Sequence, residues 1–272
     1  MSPALVEFAK LAPLGFAVGL YGTLIGAGGG FVLVPVLLLL MKDADAATVT
    51  SMSLAVVFFN AYAGSLAYVR TRRVDYFAAL VFVLAGLPGA VLGSILTHEI
   101  PRAGFELVFG VVLLAAGVWL AWRPLGEPVD APTVPLQSPG GTRPQNGYFN
   151  TRLGAVTGAY IGLVSSLLGI GGGVIQVPFM VRVLRFPPHV ATATSQLVLA
   201  VLAFVATISH FALDAYREGL DETMYLAVGV MMGAPFGALI SARVRGSMIV
   251  RLLALALCLV GLRLVFGQLL AR

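Results

Sequence analysis

The chain is poor in the residues that do chemistry. Its 272 residues include one cysteine, three histidines and 12 Asp and Glu. The lone Cys258 excludes an internal disulfide and any multi-cysteine metal centre, and its apolar surroundings read as packing. His98, His189 and His210 are too scattered to group by spacing into a metal site or a base for a nucleophile. No catalytic residue, metal site or cofactor is therefore expected, and the chain does not read as an enzyme. Charge is scarce, at 11% of residues, against about 25% in a soluble protein. No Asp or Glu lies deep in an apolar run, and Glu106 only stands near the start of one, so a buried carboxylate relay for protons is not visible. The net charge of +5 does not indicate nucleic acid, because the arginines sit in short loops between apolar runs. Met1 to Lys10 lacks a cationic start and a small-residue cleavage site, so a cleaved signal peptide is not expected.

What is abundant is apolar sequence, 59% of the chain, with a mean hydropathy of +0.96. This composition predicts an all-α polytopic membrane protein with the lipid bilayer as its solvent. Ten apolar segments are expected, at 11–25, 28–41, 47–69, 76–97 and 103–122, then 152–168, 172–184, 191–213, 223–242 and 249–270. They divide the chain into a first transmembrane repeat at 1–122, a flexible cytoplasmic linker at 123–150 rich in Pro and Gly, and a second repeat at 151–272.

The repeat is visible in the residues. Gly26-Ala27-Gly28-Gly29-Gly30, followed by Pro35, returns as Gly169-Ile170-Gly171-Gly172-Gly173, followed by Pro178. Ala47-Thr48-Val49-Thr50-Ser51 aligns with Ala191-Thr192-Ala193-Thr194-Ser195, Gly15 and Gly19 with Gly158 and Gly162, Gly86-Leu87-Pro88 with Gly233-Ala234-Pro235, and Gly117 with Gly261. Glycine breaks at matching places in two apolar halves point to a transporter's binding site, because bare backbone in lipid must be hydrogen-bonded by something else. Small residues at four-residue spacing, as in Gly229, Gly233 and Gly237, read instead as close helix packing.

Charge orients the segments. Every arginine-rich loop follows an odd-numbered segment: Arg70, Arg72 and Arg73; Arg123, Arg143 and Arg152; Arg182 and Arg185; Arg243, Arg245 and Arg251. The positive-inside rule then puts these loops in the cytoplasm and both termini outside. This holds only if the chain goes in and comes back around each glycine cluster, as a re-entrant hairpin or as two full crossings. The two halves are then inverted, each starting with a glycine-tipped broken-helix hairpin. Both pieces of each hairpin are expected to be shorter than the other segments.

Gly26-x-Gly28-Gly29-Gly30 with Pro35, Ala47-x-x-Thr50-Ser51, and their second-half copies resemble the sulfite exporter TauE/SafE family of membrane permeases. The resemblance covers about 10–122 and 150–270 and excludes the linker. It implies a bacterial inner-membrane protein that moves sulfur-containing anions such as sulfite or organosulfonates. Uptake instead of export stays open within that class.

An oxyanion that leaves water needs replacement donors. The unpaired N–H groups and partial positive charge of a helix start supply them, and glycine lets the anion approach. Two inverted copies set two such starts face to face. The expected lining is the backbone of Gly28, Gly29, Gly30, Gly171, Gly172 and Gly173, supplemented by Thr50, Ser51, Thr194, Ser195 and Gln196. Thr23, Ser165 and Ser166 precede the clusters and are further candidates, whereas Asn60 and Gln176 read first as helix-packing glue. Arg263 lies near enough to a segment end to snorkel, and His210 reads first as a hydrogen-bonded interface residue. The rival reading is cation transport, with sodium or a proton coupled to uptake of another small anion, which would use unwound carbonyls at the opposite helix ends. Neither the oligomeric state nor the gating mechanism is legible.

Overall fold

The structure, a computed structural model, describes residues 3–41, 43–122, 150–213, 215 and 219–270, so the expected linker lies outside the described residues except for Asn150. All ten expected segments are helices: α1 (Pro3–Ile25), α2 (Gly30–Leu40), α3 (Ala46–Arg70), α4 (Tyr76–Thr97), α5 (Arg102–Trp122), α6 (Thr151–Leu168), α7 (Gly173–Arg182), α8 (Pro188–Ala212), α9 (Leu220–Ser241) and α10 (Gly246–Leu270). Local signals explain several starts. Asp45, Asp75 and Asn150 accept the amides of Thr48, Ala78 and Leu153, capping α3, α4 and α6. Pro187 and Pro188 open α8. Neither α2 nor α7 has a side-chain cap, and each follows a left-handed glycine, Gly29 at φ 82° and Gly172 at φ 72°.

Eight of the described helices are long and apolar enough to cross a membrane. The expectation that both pieces beside each glycine cluster are short is half corrected. α2 and α7 are short, at 11 and 10 residues, but α1 and α6 have 23 and 18 and qualify as spans. α1 extends back through exposed residues, including Glu7 and Lys10, to Pro3. Hydropathy marks where lipid would begin, and a helix runs on past that boundary.

The helices associate in pairs through small residues. A Cβ at Gly233 would collide with the Phe16 carbonyl, and one at Gly237 with that of Leu20, so α9 lies tight along α1. Likewise Gly89 and Gly93 of α4 press on Ala159 and Leu163 of α6, and Gly117 and Gly261 seat α5 against α10. Such approach is what glycine permits between membrane helices. It also corrects a register. Gly89 makes against α6 the contact that Gly233 makes against α1, so the Gly86-Leu87-Pro88 match with Gly233-Ala234-Pro235 is about one helical turn out of step.

Residue contacts fix helix directions. α1 runs parallel to α9 (Gly15 by Gly229, Leu24 by Gly237). α4 runs parallel to α6 (Gly86 by Gly158, Gly93 by Leu167). α3 and α8 are antiparallel: the Phe58 and Phe204 rings meet at 5.1 Å, and Gly64 lies against Gln196. α8 runs parallel to α4, from the Asp75 amide on Thr194 to the His98–His210 ring contact, and α3 runs parallel to α9, from Met52 by Gly219 to Tyr68 clustered with Ala238. α3 and α8 are the most enclosed spans, 61% and 67% buried, so they form the centre. Leu84, Val156, Phe211 and Leu239 are among the many exposed apolar side chains that face outward.

Arg102 terminates α2. It donates to the carbonyls of Leu38, Met41 and Ala44, and it pairs with Glu106 at 3.0 Å. A cation at a helix C-terminus satisfies orphan carbonyls and meets the negative end of the dipole. Arg102→Gln is expected to lower stability by about 1–3 kcal/mol and to fray the last turn of α2, seen as faster amide exchange at 38–44.

Candidate functional site

The two glycine turns meet in the interior. A Cβ on Gly30 would stand 2.5 Å from the Gly169 carbonyl and 2.7 Å from that of Ile170, and one on Gly173 would strike the Gly26 carbonyl and Ala27. The turns therefore pack backbone on backbone. All ten of their residues, 26–30 and 169–173, are buried. Gly28 and Gly171 both rest on the Val57 methyls, and Gly28 also touches Leu199. Val57 and Leu199 stand near the middle of their 25-residue helices, so the contact lies halfway along the central α3–α8 pair.

The polar groups at the turns divide by sign. Most carbonyls are occupied, those of Ala27 and Ile170 excepted. Gly26 accepts from Ser195 Oγ at 3.0 Å, Gly28 from Asn60 Nδ2 at 2.9 Å, and Gly169 from Ser53 Oγ at 2.7 Å. Gly29, Gly171 and Gly172 carbonyls accept amides two to four residues ahead. Most N–H groups at the helix starts are not occupied, although Gly173 donates to Gly171. Gly29, Gly30 and Phe31, and on the other side Gly171, Gly172 and Val174, take part in no backbone hydrogen bond as donors among the described residues. Two helix starts thus bring unpaired amides and positive dipole ends into one buried region.

Around them stand polar side chains with spare capacity. Thr50 and Thr192 lay their methyls on Gly169 and Gly26, and their hydroxyls, fully buried, have no partner. Gln176 Nε2 and Gln196 Oε1 are buried and unpartnered as well. The other end of Gln196 donates to the Gly22 carbonyl at 3.4 Å. Asn60 also accepts the Thr23 hydroxyl at 3.0 Å, and Tyr68 donates to the Thr23 carbonyl at 2.9 Å.

Of the expected side chains, Thr50, Ser195 and Gln196 stand at the turns. Ser51 and Thr194 do not. Ser51 bonds Thr48 and Ala215 carbonyls, and Thr194 accepts the Asp75 amide, each tying a loop to a helix. Ser53 and Thr192 take their places. The turns are met by Thr50 and Ser53 on one side and Thr192 and Ser195 on the other, so the aligned strings 47–51 and 191–195 are two residues out of register. A signal for this was present: Thr50, Ser53, Val57 and Asn60 fall at i, i+3, i+7 and i+10, one face of a helix. Thr192, Ser195 and Leu199 repeat its first three positions. Asn60 and Gln176, read as packing glue, also belong to this centre. Ser166 bonds Ser94 at 2.7 Å, away from the turns, and Arg263 is exposed.

A sequence profile described as sulfite exporter TauE/SafE matches residues 11–264. The chain belongs to that family. Its relatives carry transporter names. A probable membrane transporter protein YunE of Bacillus subtilis is 28% identical over 96% of this chain and 98% of its own length. A probable membrane transporter protein of Xylella fastidiosa is 26% identical over 86% and 83%. One from Methanocaldococcus jannaschii, MJ0441, is 26% identical over 78% and 76%. No solved structure matches the chain. This TauE/SafE protein is a multi-pass membrane transporter, and its apolar outer face and eight potential spans accord with that. The TauE/SafE match takes in both glycine turns and every side chain named around them.

Proposed function

We propose that this TauE/SafE transporter carries a small sulfur-containing anion, sulfite or an organosulfonate, and binds it between the two glycine turns. The observation that carries the reading is the sign of the vacant groups: at the turns the carbonyls named above have donors, while six helix-start amides lack acceptors. A cation site needs the opposite, and the turns offer two such carbonyls, Ala27 and Ile170, against six free amides. The lining comprises the backbone of Gly28, Gly29, Gly30, Gly171, Gly172 and Gly173, of which Gly28 and Gly173 shape the turns with their own amides already bonded, together with the hydroxyls of Thr50 and Thr192 and the Gln176 amide as adjustable donors. Neutral donors hold an anion without the slow release that a fixed buried cation would impose. The turns touch each other directly, with Val57 and Leu199 packed beside them, so the anion enters when the turns part.

Support for an inverted duplication comes from helix directions. α1, α3 and α9 run one way, and α4, α6 and α8 run the other. Each helix of the first half is then antiparallel to its counterpart five places later. The parallel course of α1 and α3, and of α6 and α8, supports a return of the chain along α2 and α7, with each glycine turn at the tip of a hairpin. With the arginine-rich loops in the cytoplasm, the termini face outward and the hairpins enter from opposite leaflets. An inside-negative potential then favours anion exit by about 2.3 kcal/mol per charge per 100 mV, so export needs no proton.

The test is flux in proteoliposomes with sulfite, thiosulfate, sulfoacetate and sulfate under an imposed potential. Potential-dependent flux of at least one sulfur anion, without sodium, is expected. Sodium-dependent transport with no anion movement would reject the proposal.

A further inference from the structure

At the end of the bundle where α4 and α8 finish, two imidazoles meet at a tilt. His98, at the C-terminal cap of α4, is exposed, whereas His210, in the last turn of α8, has no exposed surface. Their ring centroids lie 5.6 Å apart. Neither His210 nitrogen makes a well-formed hydrogen bond, and the Ser166 backbone lies beside the ring. Buried polar groups are seldom left so, and an imidazole is the side chain that gains charge near physiological pH.

The matching place in the other half is filled differently. His210 stands 142 positions after Tyr68, the same interval that separates Thr50 from Thr192 and Ser53 from Ser195. Tyr68 is also buried, but its hydroxyl is satisfied, locked onto the Thr23 carbonyl just ahead of the first glycine turn. The backbone beside His210 is that of Ser166, just ahead of the second turn. One end of the pathway therefore carries a permanent bond and the other a ring with spare capacity.

We propose that His98 and His210 form a proton-binding site that releases the second glycine turn. A proton from solution passes the exposed His98 ring and binds a nitrogen of His210 behind it. An imidazolium at His210 has no counterion among the described residues. The ionisable group bearing on the ring is His98 of α4. α6 offers the Ser166 backbone and a hydroxyl already bonded to Ser94, and α3 offers Ser51, already bonded to the Thr48 and Ala215 carbonyls. A buried charge without a partner draws in water or separates the elements around it. Here those elements are the ends of α4, α6 and α8, and α6 leads directly into the turn at 169–173.

The proposal concerns the protein without substrate and stands apart from the identity of the anion. It is tested by amide hydrogen exchange of the whole chain in lipid nanodiscs with no transported anion present, corrected for intrinsic rates. Between about pH 8 and pH 5, protection at the ends of α6 and α8 is expected to fall by about tenfold or more. His210→Gln is expected to make protection there independent of pH. His98→Gln, a surface change that leaves folding intact, removes a like charge and is expected to move the midpoint to higher pH. Protection in the unaltered protein that does not change with pH, a pH response that persists in His210→Gln, or a midpoint that stays put in His98→Gln would each overturn the proposal.

Discussion

Gly173→Ala is expected to abolish anion flux and to lower thermal stability sharply, while Gly104→Ala leaves both unchanged. The two substitutions add the same methyl to a helix. At Gly104 the nearest atom is the Ile100 side chain at 3.8 Å, an ordinary contact. At Gly173 the new Cβ would meet the Gly26 carbonyl and the Ala27 backbone of the opposite turn. Overpacking a core costs about 1–3 kcal/mol when side chains can shift. Here the obstacle is backbone, itself fixed by the bond from Ser195 to Gly26, so the cost should exceed that range. Gly30→Ala should behave the same way from the other side, because its Cβ meets Gly169 and Ile170 carbonyls. Thermal unfolding in detergent and flux in proteoliposomes read the two effects. Normal transport in Gly173→Ala would remove the contact between the turns from the transport cycle.

Asn60→Leu is expected to destabilise the protein by about 2–4 kcal/mol, because one side chain serves two buried groups. Its Nδ2 holds the Gly28 carbonyl and its Oδ1 accepts the Thr23 hydroxyl. Leucine leaves both without partners where no water reaches. The loosened Gly28 would also offer a free carbonyl beside the helix start, reversing locally the excess of donors. Flux should fall more than stability alone predicts, and restoring stability by lower temperature should not restore it. Asn60→Asp tests the geometry separately. An ionised carboxylate still accepts from Thr23 but cannot donate to Gly28, so it should also lose flux. Full activity in either variant would mean that the bond to Gly28 positions nothing the anion needs.

The extent of each helix was legible wherever lipid and water alternate along the chain, as at 76–97, which the structure gives unchanged as Tyr76–Thr97. It failed at Pro3–Lys10, where the helix continues after the apolar run has stopped. The glycine turns were legible because three successive glycines inside an apolar run are locally improbable as helix. The side chains that meet them were not. Ser51 and Ser53 look alike in sequence, yet each residue along a helix turns by about 100°. Only Ser53 faces the Gly169 carbonyl, and rotation of α3 about its axis is set by the neighbours on every side. His210 is a related case: how well a buried ring is hydrogen-bonded is a property of its surroundings, and only the fold supplies them.

By itself, then, the sequence determined that this is a helical membrane protein of ten segments, broken by glycine at two matching points. Hydrophobicity and backbone freedom are properties of consecutive residues and can be read in order. Tertiary structure decided that the two breaks touch, that most of their carbonyls are filled while six amides at the helix starts have no partner, and which helix face meets them. Those facts depend on which groups from distant parts of the chain come within hydrogen-bonding reach, and no local pattern records that distance.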